Sequence, residues 1–294
     1  MTRTLPALSC ALLLAMVGCS GDGLEGGGSG FIEANNAVVS AETSGRVMAR
    51  LFDEGSRVHQ GDTLAIIDTT RVRLDLASME ALRNTSTAGW EASKVQVEQA
   101  RETERYAKSE RDRIAKLLAD GSATQKQMDQ LDHDYAQAVN ALKVAEANVT
   151  MVQRQIEKTD ADIERLHRQL VDCYPTAPIS GVIVEKYISQ GELLSPGKAI
   201  AKIANLDTLW VKVYLSATDF AHVKQGGRAK VSTESGGTIY SGEIIWTSSE
   251  AEFTPKNVQT EKSRANLVYA VKVTVPNSDG RLKIGMPVFV TLEN

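Results

Sequence analysis

Across residues 128–170 the apolar positions step by three and four along one seam: Met128, Leu131, Tyr135, Ala138, Leu142, Ala145, Val149, Val152, Ile156, Ile163, Leu166 and Leu170, with Thr159 the sole interruption. Such spacing, sustained over about six heptads, specifies a left-handed coiled-coil face. The stretch before it carries the same period at Val72, Leu76, Met79, Trp90, Val97, Ala100, Ala107, Ile114 and Leu118, but Arg83, Ser86, Ser93, Glu104 and Arg111 occupy seam positions that should be apolar. Between the two arms Gly121 suits the residue just past a helix end, and Ser122 or Thr124 suits the next N-cap. Residues 71–174 are therefore expected to fold as an antiparallel helical hairpin about 70 Å long at 1.5 Å per residue, with its tip near residues 120–124. Residues 84–89 are six poor helix formers in a row, and Gly89 alone costs about 1 kcal/mol against Ala, so the first arm is expected to bend there. Pro175 and Pro178 end the helical region.

What the hairpin interrupts is a repeat. Short β-type segments, Val38-Val39, Val47-Met48-Ala49 and Leu64-Ala65-Ile66-Ile67, fall within residues 37–70, and a matching arrangement returns over residues 175–205. Ser44-Gly45 matches Ser180-Gly181, Gly55 matches Gly191, Gly61 matches Gly197, and Leu64 and Ile67 fall on Ile200 and Ile203, all at one offset. Glycines at fixed spacing mark turns that need positive φ, so the shared offset identifies two copies of one supersecondary unit that together form a flattened β sandwich. Over residues 206–294 the alternation returns as five strands, at 209–215, 229–232, 242–246, 268–275 and 287–292, with a short helix within 217–223. Strands at this spacing between Gly-rich turns read as a small barrel.

The N-terminus reads as an export signal over residues 1–18: Arg3, a short apolar stretch, then small residues before Cys19. The apolar run is too short to span a bilayer. The segment resembles a bacterial lipoprotein signal, although Met16 stands where that motif usually has Leu, and it implies that Cys19 is the lipidated first residue of the mature chain. Residues 19–36, rich in Gly with Ser and Asp, are expected to be a flexible tether. Cys173 then remains as a lone thiol at the end of a helical pattern, a packing residue in this reading.

Two half-motifs, an inserted hairpin and a barrel together resemble the periplasmic adaptor subunits (membrane-fusion proteins, HlyD-like family) of bacterial tripartite exporters. The resemblance implies an elongated α+β chain: a lipoyl-like sandwich with an inserted coiled-coil hairpin, then a β-barrel domain. In lipoyl and biotinyl carriers a modifiable Lys sits on the turn joining the halves; here the hairpin replaces that turn, so no cofactor is expected. Adaptor tips that dock on a TolC-like outer-membrane channel carry Arg, Leu, Ser, Asp and Ala at set spacings. Arg113, Leu117, Thr124 and Asp129 fall on the first four, with Thr for Ser, while Leu131 replaces the final Ala. The resemblance thus assigns these four residues to channel docking. It also implies an inner-membrane transporter as second partner and a homo-oligomer, with six copies expected. Residues 251–260, 267–273 and 282–287 look like adaptors of ABC-type exporters, and the chain stops where resistance-nodulation adaptors usually continue into a further domain, so an ABC permease is the expected transporter. A non-enzymatic envelope scaffold and a type I protein-secretion adaptor are the alternatives.

Other chemistries find little support. The formal net charge of −4 gives no electrostatic reason to expect nucleic acid. His59, His133, His167 and His222 are scattered, no Gly-x-Ser-x-Gly, Walker or His-Glu-x-x-His motif occurs, and the methionines do not cluster, so neither catalysis nor a metal site is expected. The expected location is the periplasm, on a membrane through the lipid of Cys19.

Overall fold

A computed structural model describes residues 27–233, 238–253 and 267–293. The signal segment, Cys19 and residues 254–260 lie outside the described residues. The chain divides into two compact units, one of them Asn36–Ala204 and the other combining residues up to Asn35 with Asn205–Asn294.

In the first unit the glycine repeat has a direct structural meaning. The strands are the end of β1 (Gly27–Ser40), β2 (Gly45–Arg50), β3 (Arg57–Val58) and β4 (Ala65–Ile67), then β5 (Gly181–Lys186), β6 (Leu193–Leu194) and the start of β7 (Ala199–Ser216). Gly55 and Gly191 have φ of 83° and 85°, and Gly61 and Gly197 have 92° and 85°, the left-handed region where a Cβ is costly. Each of these turns bonds to the other half. The Gly55 N–H donates to the Ile183 carbonyl and the Gly191 N–H to that of Val47, both at 2.8 Å; the Gly61 N–H donates to Ala177 and the Gly197 N–H to Ala41, again at 2.8 Å. Donors and acceptors alike are related by the same offset that carries Gly55 onto Gly191. The core repeats in the same way: Ala41 with Ala177, Val47 with Ile183, Phe52 with Ile188, Val58 with Leu194, Leu64 with Ile200, Ala65 with Ala201 and Ile67 with Ile203 are all buried together. Full burial of an aliphatic side chain contributes about 1.5–3 kcal/mol, so these pairs dominate the stability of the sandwich. Cys173 is 1% exposed within this core; its thiol donates to the Gln169 carbonyl, and burial pushes its pKa up, as suits a packing residue.

The insertion is two helices, α1 (Thr70–Ala119) and α2 (Gln125–Asp172), of about 75 Å and about 72 Å at 1.5 Å per residue. No break accompanies the bend expected near Gly89: α1 is hydrogen-bonded as one helix from Thr70 to Ala119. The poor helix formers are absorbed locally, since Thr85 and Thr87 donate their hydroxyls to the carbonyls of Ala81 and Arg83. They are also held by register. Arg83 pairs with Asp160 at 2.5 Å and Arg111 with Asp132 at 2.6 Å. Moving forward on α1 from Arg83 to Arg111 therefore moves the partner back on α2 from Asp160 to Asp132, an equal step on each arm with no slip across residues 84–89. That step is four heptads, the period expected of the seam. The polar seam positions find their own solutions: Ser93 and Thr159 are buried with hydroxyls on the carbonyls of Trp90 and Gln155, and the arginines reach across the hairpin.

The second unit is a closed barrel of six strands, in the order β11-β9-β8-β12-β1-β7, with β7 pairing β11 to complete the ring. Its remaining strands are β8 (Arg228–Thr233), β9 (Ile239–Thr247), β10 (Glu252–Phe253), β11 (Leu267–Pro276) and β12 (Pro287–Leu292), and α3 (Ala217–Phe220) follows β7. Leu209, Val211, Val213 and Leu215 of β7 alternate inward and are fully or almost fully buried. One correction concerns the tether expected over residues 19–36. From Gly27 this stretch is strand, and Gly27–Phe31 pairs antiparallel with β12. The glycines are there for closeness rather than flexibility: a Cβ on Gly27, Gly28 or Gly30 would lie 2.7, 3.0 or 2.4 Å from the carbonyl oxygens of Val290, Tyr214 or Lys212. The barrel thus takes a strand from before the sandwich as well as the five expected over residues 206–294.

Candidate functional site at the hairpin tip

The turn between the arms is closed by two capping motifs. Asp120 caps α1, Gly121 takes φ 74°, the Gly121 N–H donates to the Leu118 carbonyl and the Ser122 N–H to that of Leu117 at 2.7 Å. This is a Schellman motif, which satisfies carbonyls the helix end leaves open. Of the two N-cap candidates the structure takes Thr124, whose hydroxyl accepts from the Gln127 N–H while the Gln127 side chain accepts from the Thr124 N–H, a complete capping box.

On this rigid turn the four residues assigned to docking occupy outer positions. Arg113 and Leu117 stand one helical turn apart near the end of α1, and Thr124 and Asp129 begin α2. Arg113 and Asp129 do not pair with each other. Arg113 bonds Glu110 on its own helix, and Asp129 accepts from Gln125 at 2.8 Å. A Schellman motif ordinarily sets an apolar residue after the turn against the residue three positions inside the helix end. Here that later residue is Ser122, and Leu117 is left 39% exposed. Cys19 lies outside the described residues.

The charge pair that joins the arms near the tip is instead Arg111 with Asp132. Arg111 also lies over the Tyr135 ring at 5.3 Å, and its hydrogen bond to Asp132 raises the guanidinium pKa further. Its signal in the sequence was an arginine on the seam, which has to find a carboxylate on the opposite arm. The tip therefore combines a cross-linked base with outward-facing apolar, cationic and anionic side chains bonded only within their own helices.

Residues 35–205 match the family model described as RND MFP, barrel-sandwich hybrid domain. Over 286 residues the chain is 27% identical to "UPF0194 membrane protein in asrC 5'region" of Acidithiobacillus ferridurans, covering 89% of this chain and 85% of the relative. It is 23% identical over 286 residues to a UPF0194 membrane protein of Yersinia pseudotuberculosis, covering 89% and 87%. The crystal structure of MacA from Actinobacillus actinomycetemcomitans shares the fold, with a TM-score of 0.63 at 24% identity over 91% of this chain and 78% of that one. With the interlocked sandwich, its inserted hairpin and more than half of the sequence inside the matched region, the chain belongs to the membrane-fusion protein family and is an adaptor of the efflux type.

Proposed function

We propose that this protein is a non-enzymatic periplasmic adaptor, lipidated at Cys19, that joins an inner-membrane transporter to a TolC-like outer-membrane channel as a homo-oligomer, six copies being the expected number. The observation that carries the reading is the tip: a turn capped at both ends, with Thr124 itself the N-cap of α2, presents Arg113, Leu117 and Asp129 at exposed positions where no bond to the opposite arm engages them. Exposed Leu117 supplies apolar contact, and the two charges can exchange their intrahelical partners for charge-assisted bonds to a channel helix. The transporter supplies energy and the adaptor supplies reach and sealing.

An ABC permease is favoured by the resemblance of the sequence at residues 251–260, 267–273 and 282–287 to ABC-type adaptors. A resistance-nodulation permease is the second reading, favoured by the description of the matched family model. Cross-linking the acylated protein in cells and identifying what it captures tests both. The expected result is one ABC permease and one outer-membrane channel. The variant Arg113→Glu/Asp129→Lys is expected to lose the channel at least tenfold while keeping the permease and its helical circular dichroism. Undiminished channel capture by the variant sinks the tip assignment, a resistance-nodulation permease sinks the ABC assignment, and capture of neither partner sinks the adaptor reading.

A further inference from the structure

The outer face of the barrel carries an unusual row of side chains. On adjacent strands Trp246, Lys272 and Lys212 lie in register, β9 to β11 to β7. Two lysines directly opposite each other on an antiparallel pair repel, a cost a purely structural face avoids. Glu252 offsets one of them, with its carboxylate 3.2 Å from the Lys212 ammonium. Lys272 forms no ion pair among the described residues; its ammonium sits 4.5 Å from the Trp210 ring centre and 5.6 Å from that of Trp246. Tyr214 flanks the row, with its ring 5.0 Å from the Lys212 ammonium. Two of the chain's three tryptophans stand here, and an extra residue in β9 opposite the Lys272/Val273 step leaves both Ile245 and Trp246 exposed, at 42% and 41%.

Aromatic rings with a polar edge, interleaved with lysine, are the chemistry of a membrane–water interface, where the rings sit at headgroup level and the ammonium meets phosphate. Covalent reach adds an independent argument. Cys19 precedes the first barrel strand by eight residues, and eight extended residues span at most about 29 Å. That strand enters beside this face: a Cβ on Gly28 or Gly30 would touch the backbone carbonyls of Tyr214 and Lys212.

We propose that the Trp210, Lys212, Tyr214, Trp246 and Lys272 face is a second membrane contact, seating the barrel on an anionic phospholipid surface. It builds on lipidation at Cys19, which brings the barrel within reach of the bilayer. The test uses the mature chain with Cys19→Ser and Trp90→Phe, so that acyl anchoring is removed and emission comes from Trp210 and Trp246 alone. Vesicles of phosphatidylethanolamine and phosphatidylglycerol with brominated acyl chains are expected to quench and blue-shift that emission. Phosphatidylcholine vesicles are expected to bind far more weakly. Lys272→Gln is expected to lower vesicle affinity about fivefold, and Lys272→Arg to leave it nearly unchanged. Flotation of the Cys19→Ser chain with Trp90 intact guards against a folding defect of Trp90→Phe. Absence of quenching in the folded protein, equal affinity for neutral vesicles, or absence of vesicle binding together with capture of the Cys19→Ser chain by the solubilised transporter overturns the proposal, the last in favour of a protein partner. The native acylated chain separates the two readings. If it floats with unquenched tryptophans, the anchor stands and the face does not; if it carries no acyl group while the Cys19→Ser chain is quenched, the face stands and the anchor does not.

Discussion

The hairpin is inserted between the two halves of the sandwich, yet the two are stabilised in different ways. The sandwich buries sixteen residues in one cluster, and each half completes its hydrogen bonds on the other. Along α1 only Ser93 and Val97 are buried, and along α2 only Ala138, Thr159, Ile163 and Leu166. A pair of helices has a thin cross-section, so most seam residues keep some water contact, and polar residues there cost less than they would in a thick core. Fold specificity in the hairpin accordingly comes from register, repeated over four heptads, and in the sandwich from dense packing around a pseudo-twofold relation.

That contrast can be broken or sharpened by substitution. Ile203→Ala, in the fully buried sandwich core, is expected to destabilise that unit by about 2–5 kcal/mol, read as lost hydrogen-exchange protection at Gly55 and Gly191. A much smaller loss would mean the core can collapse around the cavity. Next in size, Gly89→Ala is expected to stabilise the hairpin by about 1 kcal/mol and raise its helical melting temperature, because an added Cβ meets nothing within 4 Å. A destabilised variant would show that residues 84–89 depend on the conformational freedom of Gly89. The smallest effect is expected for the Arg111→Ala and Asp132→Ala double-mutant cycle: a weak favourable coupling that declines with added salt, because both side chains keep much of their exposure, 36% and 47%. A coupling insensitive to salt would instead mark the pair as a desolvated lock.

How much of this was legible in the sequence depended on whether the cause was periodic. Nearly every seam position from Val72 to Leu170 is less exposed than its neighbours, because a heptad period is a property of spacing alone. The glycine offset was equally readable, since positive φ at Gly55, Gly61, Gly191 and Gly197 is demanded by the turns themselves. Two features were hidden. The run at residues 84–89 scores poorly by local propensity, but packing against α2 overrides propensity, and the register that proves it is visible only when Arg83 and Arg111 are seen to pair. Gly27, Gly28 and Gly30 look like linker residues, and what requires them is the backbone of distant strands, the carbonyls of Val290, Tyr214 and Lys212. At the tip, the Gly121 turn and the Thr124 cap followed from residue chemistry. The separation of Arg113 from Asp129 did not, because nearer partners compete for both.

The reciprocal bonding of the two half-motifs also orders events in time. When the chain has emerged only as far as Thr70, the N–H groups of Gly55 and Gly61 have no acceptors, because Ile183 and Ala177 follow far behind. Closing so long a loop directly carries a large entropic cost, whereas two helices that zip from a capped turn proceed through local contacts. A zipper running from the Thr124 and Gly121 caps would end with Pro175 beside Leu64, where the Leu64 N–H meets the Pro175 carbonyl at 2.8 Å. The hairpin would thus also be the device that brings the two halves of its own base together.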